Sequence, residues 1–123
     1  MTNFNAPIPI LRSFDAALMQ AFYIDYLGFE ITFSHRFAPK LPLYVEVRRD
    51  DCVIHLSEHN GDTSPGGALR IPMEDVSAFC AALIENDNAN VTPTVKSQPF
   101  GWDDMTLADP FGNKLTFCTE HPA

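Results

Sequence analysis

The chain has 123 residues, 46% of them apolar and 20% charged, which suits one packed core and excludes a disordered tail or a disulfide-held mini-protein. Eight Lys and Arg against sixteen Asp and Glu leave a net charge of −8, so most of the surface repels a phosphate backbone and a cationic small molecule is a better match than nucleic acid. Cys52, Cys80 and Cys118 are odd in number and lack C-x-x-C spacing, no stretch nears the roughly twenty apolar residues of a membrane span, and residues 1–5 lack the basic and apolar regions of a signal peptide; a cytoplasmic protein with reduced cysteines, acting as small hydrophobes, is expected.

Residues 6–12 read as a strand whose Pro7 and Pro9 have no amide to donate, which confines it to an edge or a crossing start. Asp15 is then an N-cap. Met19, Phe22, Tyr23, Tyr26 and Leu27 behind it share one helical face, and Gly28 ends the helix. Residues 29–33, 43–47 and 52–56 follow as strands, the first two alternating apolar with polar, with Arg49-Asp50-Asp51 as a tight connection between the last two. The polar stretch 57–67 is the midpoint linker.

The order then begins again. Residues 68–72 form a strand and Asp75 an N-cap. Val76, Phe79, Cys80, Leu83 and Ile84 make a second helical stripe, ended by the run 86–90. Residues 91–95 read as a strand broken by Pro93, and 98–103 as a loop carrying Phe100 and the only tryptophan, Trp102. Strands at 105–108 and 114–118 flank the turn 109–113. The pattern is β-α-β-β-β written twice: an α+β fold in one domain spanning 1–123, with modules at about 6–57 and 67–119. Counting back seven residues from the caps pairs Ile8 with Ala68; counting on four from Asp51 and Gly112 pairs His55 with Thr116. These four positions are expected to be equivalent under the repeat and to face one concavity.

Phe22-Tyr-Ile-Asp-Tyr-Leu-Gly-Phe29 and Asp109-Pro-Phe-Gly-Asn113, about eighty residues apart, resemble motifs of the glyoxalase/bleomycin-resistance group, the vicinal oxygen chelate superfamily. Pro9-Ile-Leu11, Arg49-Asp-Asp51 and Gln98-Pro-Phe-Gly101 look like stretches of its bleomycin-binding resistance proteins. The resemblance implies two βαβββ modules whose curled sheets form cups, and a homodimer with grooves at the subunit interface. The superfamily's enzymes hold a divalent metal at four positions that map onto Ile8, His55, Ala68 and Thr116. A catalytic metal needs about three N, O or S ligands. His55 alone supplies a strong one, so neither metal nor other cofactor is expected.

His55 reads either as a polar lining residue or as a general base, although no nucleophile or second acid can be placed beside it. His35, His59 and His121 fall in or near polar segments and are expected to be solvated. By resemblance, Phe33, Phe37 and Phe100 match aromatic groove positions, Trp102 lies two residues beyond, and Asp103 would add charge attraction; packing in the core is the other reading of these rings. Arg70 stands where the resistance proteins have an aromatic residue, and it would repel a cation, pair with an acid such as Glu46, or receive an anion.

The expected function is stoichiometric, non-catalytic binding of a bleomycin-type glycopeptide, which keeps the drug from DNA, with no nucleic-acid or membrane partner. The alternatives are a superfamily enzyme using Mg²⁺, Mn²⁺, Fe²⁺, Ni²⁺ or Zn²⁺ on a small oxygenated substrate, a metal-free enzyme using His55, and a binder of another metabolite.

Overall fold

In the computed structural model, which describes residues 2–86 and 91–121, each half of the chain builds its own four-stranded sheet. The first half contributes β1 (Ile10–Arg12), α1 (Ala16–Met19, continuing as a π-helix over Gln20–Tyr26), β2 (Glu30–His35), β3 (Tyr44–Arg49) and β4 (Cys52–Ser57). The second contributes β5 (Ala68–Pro72), α2 (Val76–Glu85), β6 (Lys96–Ser97), β7 (Trp102–Ala108) and β8 (Lys114–Glu120). Strand orders are β1-β4-β3-β2 and β5-β8-β7-β6, and in each sheet only the first strand runs parallel to its neighbour.

The caps lie where the sequence puts them. Asp15 accepts the Leu18 amide and Asp75 the Ala78 amide, and Gly28 leaves the first helix at φ +79°. The first helical stripe is buried throughout, but from Gln20 the helix widens so that the Leu27 amide reaches back five residues to the Phe22 carbonyl. Nothing in the residue pattern signals this widening.

Three expected strands differ most in extent, the others by one or two residues at an end or not at all. The first begins only at Ile10, because Pro7 and Pro9 cannot donate; the Pro9 carbonyl still accepts the His55 amide. Residues 91–95 form no strand, and pairing starts at Lys96, beyond Pro93. β7 begins at Trp102, so Trp102 and Asp103 stand on a strand rather than a loop. Residues 87–90 of the run expected to end the second helix lie outside the described residues; Asn86 caps α2 and donates to the Asp25 and Tyr26 carbonyls of the first half.

One face of each sheet is buried with the helices, through Val45, Val47, Ile54 and Leu56 in the first and Met105, Leu107, Leu115 and Phe117 in the second. The opposite faces are open. Ile10 pairs with His55, and Arg70 with Thr116, so the register makes Ile8 equivalent to Ala68 and His55 equivalent to Thr116. A buried polar staple joins the halves: Asp109 accepts from the Tyr23 hydroxyl at 2.6 Å, and Asn113 donates to the Arg12 carbonyl at 2.9 Å.

Candidate functional site

The two-residue turn at Asp50-Asp51 sets Arg49 opposite Cys52, and this brings Glu46 opposite His55 and Tyr44 opposite Ser57. On the open face, the His55 ring lies between two side chains: Nε2 is 3.0 Å from Glu46 Oε1, and Nδ1 is 2.5 Å from the Tyr44 hydroxyl. Glu46 takes a further hydrogen bond from the Thr32 hydroxyl at 2.5 Å. That bond, then His55, holds the Glu46 carboxyl below its usual range. An ionised Glu46 only accepts, so Nε2 carries the proton and Nδ1 of the neutral ring accepts from Tyr44. Burial, then the charges of Asp62 and Glu46, push the Tyr44 hydroxyl up, so it remains a donor rather than a base.

Phe33 stacks nearly parallel to Tyr44, with ring centres 6.4 Å and planes 12° apart, and meets His55 edge-on. Phe37 is 74% exposed and stands between His35 and His59, each edge-on to its ring. Phe33, Phe37, Tyr44, His35, His59 and Asp62 line a shallow cleft of about 390 Å³. His35 and His59 are therefore walls of this cleft rather than merely solvated groups. Sequence reasoning missed them, and it missed Tyr44 and Glu46 as partners of His55. The turn length and the strand period place the latter two beside His55 once both are counted.

A pH dependence follows from Glu46. Its folded-state carboxyl titrates below the unfolded one, so its contribution to stability is complete above the ordinary carboxylate range and is lost as pH falls through the depressed value. Glu46→Gln is expected to flatten the decline in melting temperature between neutral pH and about pH 3. An unchanged acid limb would contradict this.

On the second sheet, Asp104 accepts from two Arg70 nitrogens at 3.0 and 2.8 Å, and the guanidinium carbon lies 5.8 Å from the Phe100 ring centre and 5.6 Å from that of Trp102. The acid that pairs with Arg70 is therefore Asp104; Glu46 is held by His55 and Thr32. Successive residues on a strand point to opposite faces, so Trp102 and Asp104 share the open face while Asp103 points away from it. Asp103 bonds Ser97 at 2.6 Å and His121 at 3.1 Å, which corrects its expected place beside Trp102; His121 itself is exposed. Of the six expected ligand residues, Phe33, Phe37 and His55 come together on the first half, Phe100 and Trp102 on the second, and Asp103 joins neither.

A second cavity, about 970 Å³, lies elsewhere, along the seam between the halves. Ile8, Phe29, Cys52, Leu69, Phe79 and Phe117 are among its walls, and none of the six expected ligand residues is. Arg49 closes part of the seam by donating to the Leu27 carbonyl at 2.6 Å and lying over Phe79. Burial pushes the Cys52 thiol up, away from the nucleophilic thiolate.

The four family metal positions do not share this cavity: Ile8 lines it, whereas His55, Ala68 and Thr116 do not. His55 stands on the first sheet and Ala68 and Thr116 on the second, while Ile8 precedes β1. Ile8 and Ala68 have no donor atom, Thr116 bonds Thr106 at 2.8 Å, and both His55 nitrogens are engaged. This donor set does not fit a resident divalent ion. Among the described residues, no group of three or more His, Cys, Asp or Glu side chains is placed to hold one.

The family described as "Glyoxalase superfamily protein" matches residues 1–122. No curated protein matches the chain. Among solved structures, a bleomycin-binding protein complexed with bleomycin is similar at 21% identity and a TM-score of 0.73, covering 96% of this chain and 100% of that one. An antibiotic-binding protein from a Streptomyces species is similar at 21% identity and a TM-score of 0.71, covering 98% of each chain. A member of the glyoxalase/bleomycin resistance protein/dioxygenase superfamily from Sphaerobacter thermophilus has 21% identity and a TM-score of 0.72, covering 96% and 98%. At this identity the likeness is one of fold: two tandem βαβββ units with mixed four-stranded sheets.

Proposed function

Because the chain belongs to the glyoxalase superfamily, we propose that it uses the fold for capture rather than chemistry: metal-free, stoichiometric binding of a bleomycin-type glycopeptide between exposed aromatic rings. The observation that carries this reading is the pair of aromatic open faces, Phe33 on Tyr44 beside Phe37 in the first half and Phe100 with Trp102 in the second. Flat conjugated ligands gain on the order of 1 kcal/mol per stacked ring beyond burial. Pairing with Asp104 offsets part of the field of Arg70, which lessens the repulsion of a cationic drug. His55 acts here as a polar lining held in one tautomer.

A second copy of the chain completes the groove by setting the first open face of one subunit against the second open face of its partner. Ile31 and Phe33 are exposed along β2, an edge strand that such a partner would cover. Light scattering should return twice the 13.7 kDa chain mass. The chain mass itself would rule out a stable dimer. Among the described residues no helix is long and apolar enough to cross a membrane.

Bleomycin is expected to quench Trp102 fluorescence with saturation at about one drug per chain. It should also raise the melting temperature, by about 2.7 kcal/mol of stabilisation at a hundredfold excess over Kd, or on the order of 10 °C at this chain length. Neither response, in a preparation where a known bleomycin binder responds, would end this reading. A stoichiometric metal in protein purified without chelator would favour the enzyme instead.

A further inference from the structure

The repeat relates the two open faces position by position, and their polarity is reversed. Register sets Glu46 opposite His55 in the first sheet and Thr106 opposite Thr116 in the second, so a carboxylate–imidazole pair is matched by two hydroxyls. By the same register, Ile10 corresponds to Arg70 and Val53 to Lys114. The second face therefore carries Arg70, Lys96 and Lys114 against only Asp104 and Glu120, in a chain whose net charge is −8.

We propose that this second open face is a site for planar aromatic carboxylates, with Arg70 and Lys114 as the anion-binding pair and Phe100 and Trp102 as the ring wall. The proposal rests on the open faces being small-molecule sites, and it adds the ligand's charge class. A guanidinium has five N–H groups; buried Asp104 accepts from two nitrogens and Cys118 lies against the same group, which still leaves N–H groups to donate on a side chain that is 46% exposed. Asp104 orients the fork without using it up. The Thr106–Thr116 hydrogen bond consumes one of two hydroxyl protons, leaving the other to donate to an anion. In the next row Lys114 is flanked by Ala68 and Ala108, whose methyl groups leave room above the sheet. Phe100 and Trp102 both border the guanidinium, so a ring lying against them brings an attached carboxylate to its donors.

Trp102 is the only tryptophan, so its indole N–H gives a single reporter resonance. In nitrogen-15 NMR titrations, 2-naphthoate is expected to shift this resonance saturably and to bind roughly tenfold or more tighter than 2-naphthamide, the neutral isostere. Arg70→Gln made together with Asp104→Asn, so that no buried carboxylate is left unpaired, should erase this preference. Lys114→Gln should reduce it severalfold, while Lys40→Gln, which removes a charge from the β2–β3 loop, should leave it intact. Equal affinity for acid and amide, or a preference that survives the Arg70/Asp104 double variant, would overturn the proposal while leaving the bleomycin reading standing. Preferential naphthoate binding without any response to bleomycin would support this site and overturn the bleomycin reading alone.

Discussion

Asp109→Ala is expected to cost about 3–5 kcal/mol of folding stability, a large share of the roughly 5–15 kcal/mol that holds a domain of this size together. One Asp109 oxygen accepts the amides of Phe111 and Asn113, both at 2.8 Å; the other accepts from the Tyr23 hydroxyl at 2.6 Å and from the Asn113 side chain at 2.7 Å. Alanine would remove all four acceptor contacts and leave buried donors without partners, Tyr23 foremost, since it is 0% exposed. Burial, then the charge of Asp109, pushes the Tyr23 hydroxyl far above its ordinary range and keeps it a donor. Tyr23→Phe deletes one of these bonds and leaves the rest, so about 1–2 kcal/mol is expected. Urea unfolding should show the Asp109 midpoint falling further than the Tyr23 midpoint with unchanged slope. A loss below about 1 kcal/mol for Asp109→Ala would mean that the staple does not bind the halves.

Phe33→Ala is expected to weaken bleomycin binding by about 2 kcal/mol, roughly thirtyfold, through lost ring burial and lost stacking. The same change should cost the fold little, because Phe33 is 44% exposed and rests on Tyr44 and His55 rather than within the core. This separation of effects distinguishes a ligand wall from a packing residue. Calorimetric titration against the parent chain tests the first part, and urea unfolding the second. An affinity within twofold of the parent would remove Phe33 from the site.

Much of the fold could be read from local chemistry. Asp15 and Asp75 cap because their short carboxylates reach the third amide of the helix, an interaction spanning only a few residues. β5 runs from Ala68 to Pro72 as its pattern predicts, and the repeat ruler holds in the register of both sheets. The first helix shows the limit: its buried stripe was evident, its π-widening was not, because the change lies in which carbonyl each amide selects. The site was less legible than the fold. Phe33, Phe37 and His55 meet on one face, and His35 follows Phe33 by two residues on β2, but the other neighbours that define the chemistry of that face, Tyr44 and Glu46 on β3 and His59 in the loop after β4, lie elsewhere along the chain. Asp103 was misplaced by reading a loop where β7 runs; on a strand, parity gives the open face to Asp104.

The sequence by itself determined the α+β class, the doubled βαβββ order, both helix starts and the poverty of donors at the family's metal positions, because each follows from the period, capping or composition of neighbouring residues. Tertiary structure alone decided the partners: Arg70 with Asp104, His55 between Glu46 and Tyr44, and Tyr23 with Asp109 across 86 positions of chain. Such pairings depend on how strands register and how two sheets come to share one core. Distance along the chain carries no record of either.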